Sequence, residues 1–195
     1  MTDTELIEMH GMVSLALGQI EHCGEFATLI PEVRSNLVFA RKNARTREDV
    51  LAVDGRITVV NHMPCAAGRL RLGASSHMAR LIIEMQKYDP SIRAGIDFAS
   101  TPELARWLED YCRSKSWGFG VIDRRNEPEE IKAAEGASMP WKVKEAVRAA
   151  GGKPPVICYE TGAMGKEPVS VLLGKDPLEI ADRICTIAGL YHDRR

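Results

Sequence analysis

The chain predicts an α/β fold with a mixed sheet covered by helices. Three observations carry that expectation. Helix-like and strand-like segments alternate along its length, the pattern of a sheet with helices packed on it. The helical segments repeat apolar residues at steps of three and four, so each has one face to bury. Some neighbouring strands, 155–159 and 169–173 among them, have links too short for a helical crossover, so antiparallel pairs must stand in the sheet beside any parallel ones.

Residues 4–22 open the chain as a helix, with Leu6, Met9, Val13, Leu17 and Ile20 on one stripe and Gly24 beyond its end. The stripe is expected to pack on the core, with a second subunit as the alternative. Ser35–Ala40 reads as a strand, and Thr46 caps a short helix with Glu48 and Asp49 in its first turn. The turn pair Asp54-Gly55 introduces a β-branched strand, Ile57–Val60, and Arg69–Leu72 reads as another short strand. A helix over 76–88 buries Met78, Leu81, Ile82 and Met85 and stops before Pro90. Arg93–Ala99 is a strand, and Thr101-Pro102 starts the next helix with a cap and a proline at the first position. Trp117–Ile122 is a strand followed by a polar loop, and Trp141–Ala150 is a helix ended by Gly151-Gly152. Strands at 155–159 and 169–173 precede a last helix after Asp176-Pro177. No proline- or serine-rich linker divides the chain, so residues 29–195 read as one α/β domain with a helical extension at 1–28.

The charge totals narrow the function. Lys and Arg number 26 and Asp and Glu 27, a net charge of −1, which gives no general attraction for nucleic acid or an anionic membrane. An anion site must therefore be local. No apolar run approaches the ~18 residues of a membrane span, and Met1–Glu5 lacks the basic start of a signal peptide. The five cysteines are odd in number and form no CxxC, so reduced thiols in a cytoplasmic protein are expected.

Gly73 to Arg80, Gly-Ala-Ser-Ser-His-Met-Ala-Arg, is the most informative stretch. Small residues precede two hydroxyls and a helix start, where unpaired N–H groups and the helix dipole favour an anion. Ser75 or Ser76 can take the N-cap, Gly73 and Ala74 allow close approach to the backbone, and His77 and Arg80 share one helical surface. The same residues would also make an ordinary capped helix. Three further segments place charge in turns at strand ends: Asp54-Gly55-Arg56, Asp123 to Pro128, and Glu160 to Pro168. Strand ends are where α/β sheets bind ligands.

Several chemistries are excluded. Gly162 and Gly165 stand too close for a phosphate-binding P-loop, and Glu167 follows Lys166 where Ser or Thr is required. His77 occupies the place of the second glycine of a nucleophile elbow. His62 and Cys65 have metal spacing, but two ligands do not make a site.

Taken together, the segments Leu-Ile-Pro-Glu-Val (29–33), Asp-Gly-Arg-Ile (54–57), Gly-Ala-Ser-Ser-His-Met-Ala-Arg (73–80), Tyr-Asp-Pro-Ser-Ile-Arg (88–93), Asp-Arg-Arg-Asn-Glu-Pro (123–128), Glu-Gly-Ala-Ser-Met-Pro-Trp (135–141) and Gly-Lys-Glu-Pro (165–168) resemble the archaeal ThiN-type thiamine-phosphate synthase family. The resemblance runs from about residue 29 to the C-terminus. It implies a three-layer α/β/α fold with a mixed, largely antiparallel sheet similar to class II aldolases. It also implies the joining of hydroxymethylpyrimidine diphosphate to hydroxyethylthiazole phosphate. Its functional arginine and histidine fall on Arg56 and His77. Two departures stand out: Asp97, where asparagine is expected, and His62, where a small residue is expected.

On this resemblance the chain is expected to be a free-standing synthase domain. The Ser75–His77 amides, with Gly73, Ala74 and Arg80 around them, and the Arg56 guanidinium would hold the diphosphate. His77 would protonate the leaving oxygen, because an ordinary imidazole titrates near pH ~6.5. Arg124, Arg125 and Lys166 are candidates for the second phosphate, and Asp123, Glu127, Glu135 and Gly165 are substrate-binding candidates in the matching motifs. Mg²⁺ is a candidate cofactor, because diphosphate departure benefits from charge neutralisation, and no metal-ligating residues are assigned. The expected partners are small phosphorylated substrates and a second copy of the chain in a dimer. Two alternatives stay open: a sensing module that binds thiamine phosphate without making it, and an aldolase-like lyase. The lyase would need clustered histidines, whereas His10, His22, His62, His77 and His192 are scattered.

Overall fold

A computed structural model describes residues 3–134, 136–163 and 165–194. Seven strands form the main sheet: β1 (Leu37–Ala40), β2 (Val50–Val53), β5 (Leu70–Leu72), β6 (Ala94–Ala99), β7 (Phe119–Ile122), β8 (Ile157–Glu160) and β9 (Val169–Gly174). Their order is β5-β2-β1-β6-β9-β8-β7, antiparallel throughout except for the parallel pair β7–β8. Two more strands, β3 (Ile57–Val60) and β4 (Met63–Ala66), pair as a separate hairpin. The strand expected at 57–60 is therefore present, outside the main sheet.

Alternation along the strands sorts side chains to two faces. Phe39, Ile96, Phe98, Ile157 and Leu172 point to a core shared with α1 (Asp3–Glu21), α3 (Pro102–Ser114) and α6 (Pro177–His192). Val38, Ala52, Ile122, Cys158, Val171 and Leu173 point to a second core under α2 (Ser76–Gln86) and α5 (Ser138–Ala149). The result is three layers, with a short helix α4 (Glu129–Ala133) in the loop after β7. The first helix packs on this core through Met9, Val13, Ala16 and Ile20. Among the described residues, no helix is long and apolar enough to cross a membrane.

Local chemistry fixes the elements that matter for the site. Thr101 accepts from the Leu104 amide, and Asp176 from the Leu178 and Glu179 amides, so α3 and α6 start where their caps predict. Gly73 has φ +75° in the turn between β5 and α2, a conformation that favours glycine, and sits near the Glu48 side chain. Gly120 lets α5 lie against β7: a Cβ there would come within 2.7 Å of the Ala146 carbonyl oxygen. α5 begins at Ser138, three residues before the expected Trp141, and α2 ends two residues before 88.

Candidate active site

A cavity of about 340 Å³ opens where β8 ends and β9 begins, on the face covered by α2 and α5. His77 and Arg80 reach it from the first turns of α2, and Gly136, Ser138 and Met139 from the start of α5. Both helices arrive with bare first turns. Ser75 occupies the N-cap of α2 but its hydroxyl makes no capping hydrogen bond, and Ala137 at the N-cap of α5 has no side-chain donor or acceptor to offer. Two sets of helix-start amides, each with the positive end of a dipole, thus converge on one space.

Cations line the same space. Arg124, Lys142 and Lys166 join Arg80 on the walls, facing Glu160 and Glu167. Two of these cations are fixed by the inner acids. Lys142 Nζ lies 2.7 Å from Glu160 Oε1 and 2.9 Å from Oε2. Arg124 spans Glu160 at 2.6 Å and the fully buried Glu127 at 2.8 Å, and Ser138 Oγ donates to the other Glu127 oxygen. Burial alone would raise the Glu160 carboxyl, but Lys142 and Arg124 together hold it below the usual range. Burial lowers Lys142 in spite of Glu160 beside it. These contacts place Arg124 and Lys142 rigidly and offset part of their charge.

His77 differs from its expected state. Its ring is reached by water in the cavity, yet protein crowds around it. Burial, then Lys142, then Arg80 and Arg56 disfavour a positive charge, and Glu160 opposes them only in part, which pushes the imidazole down to about 4. Burial sets the direction of the shift, and the cations around the ring add to it. The free protein therefore holds a neutral His77 at pH 7.

Arg56 is not among the described residues that line the cavity, but it lies within electrostatic reach of His77. Its conformation is unusual: Gly55 has φ +78° and Arg56 φ +71°, so a long side chain occupies a backbone geometry that favours glycine. The Arg56 amide donates to the Val53 carbonyl at 3.2 Å to close the turn. The guanidinium donates to the Val33 carbonyl, and the Val33 N–H donates to Glu167 Oε1 at 3.0 Å. Asp97, the departure noted in the sequence, lies beside this group rather than on the cavity wall. Its carboxylate accepts the Asn36 N–H at 2.6 Å, and burial raises it to about 6.

The remaining candidates take varied places. Gly73 and Ala74 shape the turn into α2, and the Arg125–Asp123 pair, 2.7 Å apart, is not part of the cavity lining, with Arg125 turned to solvent. Ser76 gives its carbonyl to Arg80 Nε at 3.2 Å. Glu127 lies behind Arg124, and Gly165 takes φ +70° in the loop that carries Lys166. Glu135 lies outside the described residues. Lys142 escaped the sequence reading altogether, because a lysine in an amphipathic helix reads as a solvated residue; here it is 6% exposed.

Comparison with known proteins agrees in one direction. A family model described as "Thiamine-phosphate synthase ThiN" matches residues 12–186. The chain is 40% identical over 179 residues to a thiamine-phosphate synthase ThiN of Methanothermobacter thermautotrophicus, covering 92% of each. It is 33% identical over 167 residues to a bifunctional thiamine biosynthesis protein ThiDN of Methanocaldococcus jannaschii, covering 85% of this chain and 37% of that longer one. A crystal structure of the C-terminal domain of a phosphomethylpyrimidine kinase superposes with a TM-score of 0.88 at 31% identity, covering 93% of this chain and 98% of that one.

Proposed function

Because the chain belongs to the thiamine-phosphate synthase ThiN family, we propose that the cavity between the starts of α2 and α5 is where it joins hydroxymethylpyrimidine diphosphate to hydroxyethylthiazole phosphate. The products are thiamine phosphate and diphosphate, and the enzyme is a transferase. The observation that carries the assignment of the site is the convergence of two uncapped helix starts with Arg80 and Lys166 on one space.

The bond that breaks joins the pyrimidine methylene carbon to a diphosphate oxygen, and its electron pair leaves with the diphosphate. The bond that forms joins the same carbon to the thiazole nitrogen. The aminopyrimidine ring supplies electron density to the carbon as the leaving group departs. The protein's tasks are to hold the two substrates in line and to stabilise the charge that builds on the diphosphate. The amides at the starts of α2 and α5 take the diphosphate oxygens, Arg80 and Lys166 neutralise them, and Arg56 closes the rim with its planar fork. His77 begins neutral and donates an N–H hydrogen bond to the leaving oxygen. An arriving anion raises the basicity of the ring, so its protonated form becomes accessible only in the complex.

We assign no protein-held magnesium ion. Among the described residues no group of three His, Cys, Asp or Glu side chains stands together. Glu160 is paired with Lys142 and Arg124, and Glu167 accepts from the Val33 amide. A divalent cation enters this reading only as the counter-ion of the diphosphate, and no step is assigned to it. We also assign a homodimer, with the exposed hairpin residues Val59, Val60 and Met63 as the apolar surface it covers, and a cytoplasmic setting in keeping with five free cysteines.

The test is turnover. The purified protein is given both phosphorylated substrates, and thiamine phosphate is read by fluorescence after oxidation. Binding of product without its formation overturns the proposal.

A further inference from the structure

Next to the cation-lined cavity lies a notch with room for about one water-sized group, roughly 10 Å³. Its walls are apolar, from Leu81, Ile122, Met139, Cys158 and Val171. His77, Met139, Lys142 and Glu160 line both the notch and the main cavity, so the two share a wall of side chains. Helix starts and cations thus border the cavity, the Lys142–Glu160 pair borders both spaces, and the notch adds a small apolar surface.

The pyrimidine diphosphate has the same sequence of chemistry along its length. The ring carries a methyl group at position 2 and the methylene diphosphate at position 5, on opposite ends of one axis. Between them lies a hydrogen-bonding edge, with the 4-amino group beside a ring nitrogen. We propose that the notch is the seat of the 2-methyl group. The ring then lies across the Lys142–Glu160 pair, and its diphosphate arm points to the starts of α2 and α5. A carboxylate oxygen of Glu160 accepts from the amino group and the Lys142 ammonium donates to the ring nitrogen. The notch is slightly tight for a methyl group, and Met139, an unbranched and adaptable side chain, is the wall best able to yield. This assignment rests on the synthase reading and extends it to the orientation and selection of one substrate.

The orientation makes methyl the best-fitting substituent at position 2. The experiment measures kcat/KM of the wild-type protein with the natural pyrimidine diphosphate and with its 2-hydrogen and 2-ethyl analogues, at saturating thiazole phosphate. One methyl group in an apolar pocket is worth on the order of tenfold, so the 2-hydrogen analogue falls about tenfold for want of contact. The 2-ethyl analogue falls by at least as much, for want of room. Val171→Ala, and independently Leu81→Ala, shift the ethyl-to-methyl preference toward ethyl by about tenfold, because each lengthens the notch. Equal use of all three substituents by the wild-type protein overturns the proposal while leaving the synthase reading intact. So does a methyl preference that neither variant shifts. No turnover of the natural pair removes the synthase reading and the notch assignment with it. The analogue series needs no variant, so it decides even if a core substitution fails to fold.

Discussion

Arg56 and Glu167 grip the same residue from two sides: the guanidinium donates to the Val33 carbonyl, and the Glu167 carboxylate accepts the Val33 N–H. Glu167 also lines the cavity. One turn residue, Val33, thus ties the strained Asp54-Gly55-Arg56 turn to the loop that carries Lys166. Through it, two segments far apart in the chain take fixed places at one rim.

This arrangement separates stability from activity at position 56. Arg56→Ala and Arg56→Gly both remove the guanidinium and are expected to lower kcat/KM by about 10²–10³-fold. The two differ in fold stability. Position 56 has φ +71°, which alanine tolerates poorly and glycine accepts, so Arg56→Gly should unfold about 1 kcal/mol later than Arg56→Ala. Denaturant midpoints check this. Wild-type activity in either variant removes the role given to Arg56.

The neutral state of His77 sets a pH profile. Its folded value is depressed to about 4, so kcat/KM, which reports the free enzyme, should show no bend from this ring between pH 6 and 8. An inflection near pH 6.5 that vanishes in His77→Gln contradicts it. The linkage sign follows. In the window from about 6.5 down to about 4 the unfolded chain takes up a proton that the folded one refuses. The contribution of His77 to stability is therefore complete above pH 6.5 and is lost as the pH falls through that window.

Asp97 runs the other way. Burial raises its folded value to about 6, so between the ordinary 3.8 and 6 the unfolded chain sheds a proton first, and stability falls as the pH rises. Asp97→Asn keeps an acceptor for the Asn36 N–H and removes the charge. Its midpoint should exceed that of the wild type by about 1–2 kcal/mol at pH 8, with the gain gone at pH 4. Equal gains at both pH values indicate a packing effect instead.

The Lys142–Glu160–Arg124 group should respond unequally to its members' removal. Glu160→Gln removes the negative charge shared by two cations and turns an NH₂ toward them, whereas Lys142→Met leaves Glu160 paired with Arg124 at 2.6 Å and Arg124 paired with Glu127 at 2.8 Å. Breaking a buried pair costs about 3–5 kcal/mol, and the glutamate variant should bear most of that cost. Urea denaturation orders the two. A lysine variant that is the less stable of the pair overturns the account.

How far these features were legible in the sequence depends on the kind of signal. Caps and periodicity placed α3 and α6 correctly, because Thr101 and Asp176 act through bonds to their own neighbours. β2 was missed: Val50–Val53 is buried on both faces and follows directly on a 3₁₀ turn, so it shows neither alternation nor a bounding turn. β4 was missed because Pro64 stands inside it, a position open only at a sheet edge such as its hairpin with β3. Within the site, the run Asp123-Arg124-Arg125 names two arginines but not their directions. Only the fold turns Arg124 inward, 10% exposed, and Arg125 outward, 84% exposed. Lys142 carried no local mark at all, since its partner Glu160 lies 18 residues away.

The open first turns of α2 and α5 have a consequence beyond catalysis. In the proposed binding mode they hold phosphate oxygens through backbone amides, which cannot tell an arriving group from a spent one. The by-product therefore competes with fresh substrate for the same seat, and throughput falls as it accumulates. A synthase built this way works at a pace set partly by its surroundings, through whatever hydrolyses free diphosphate there.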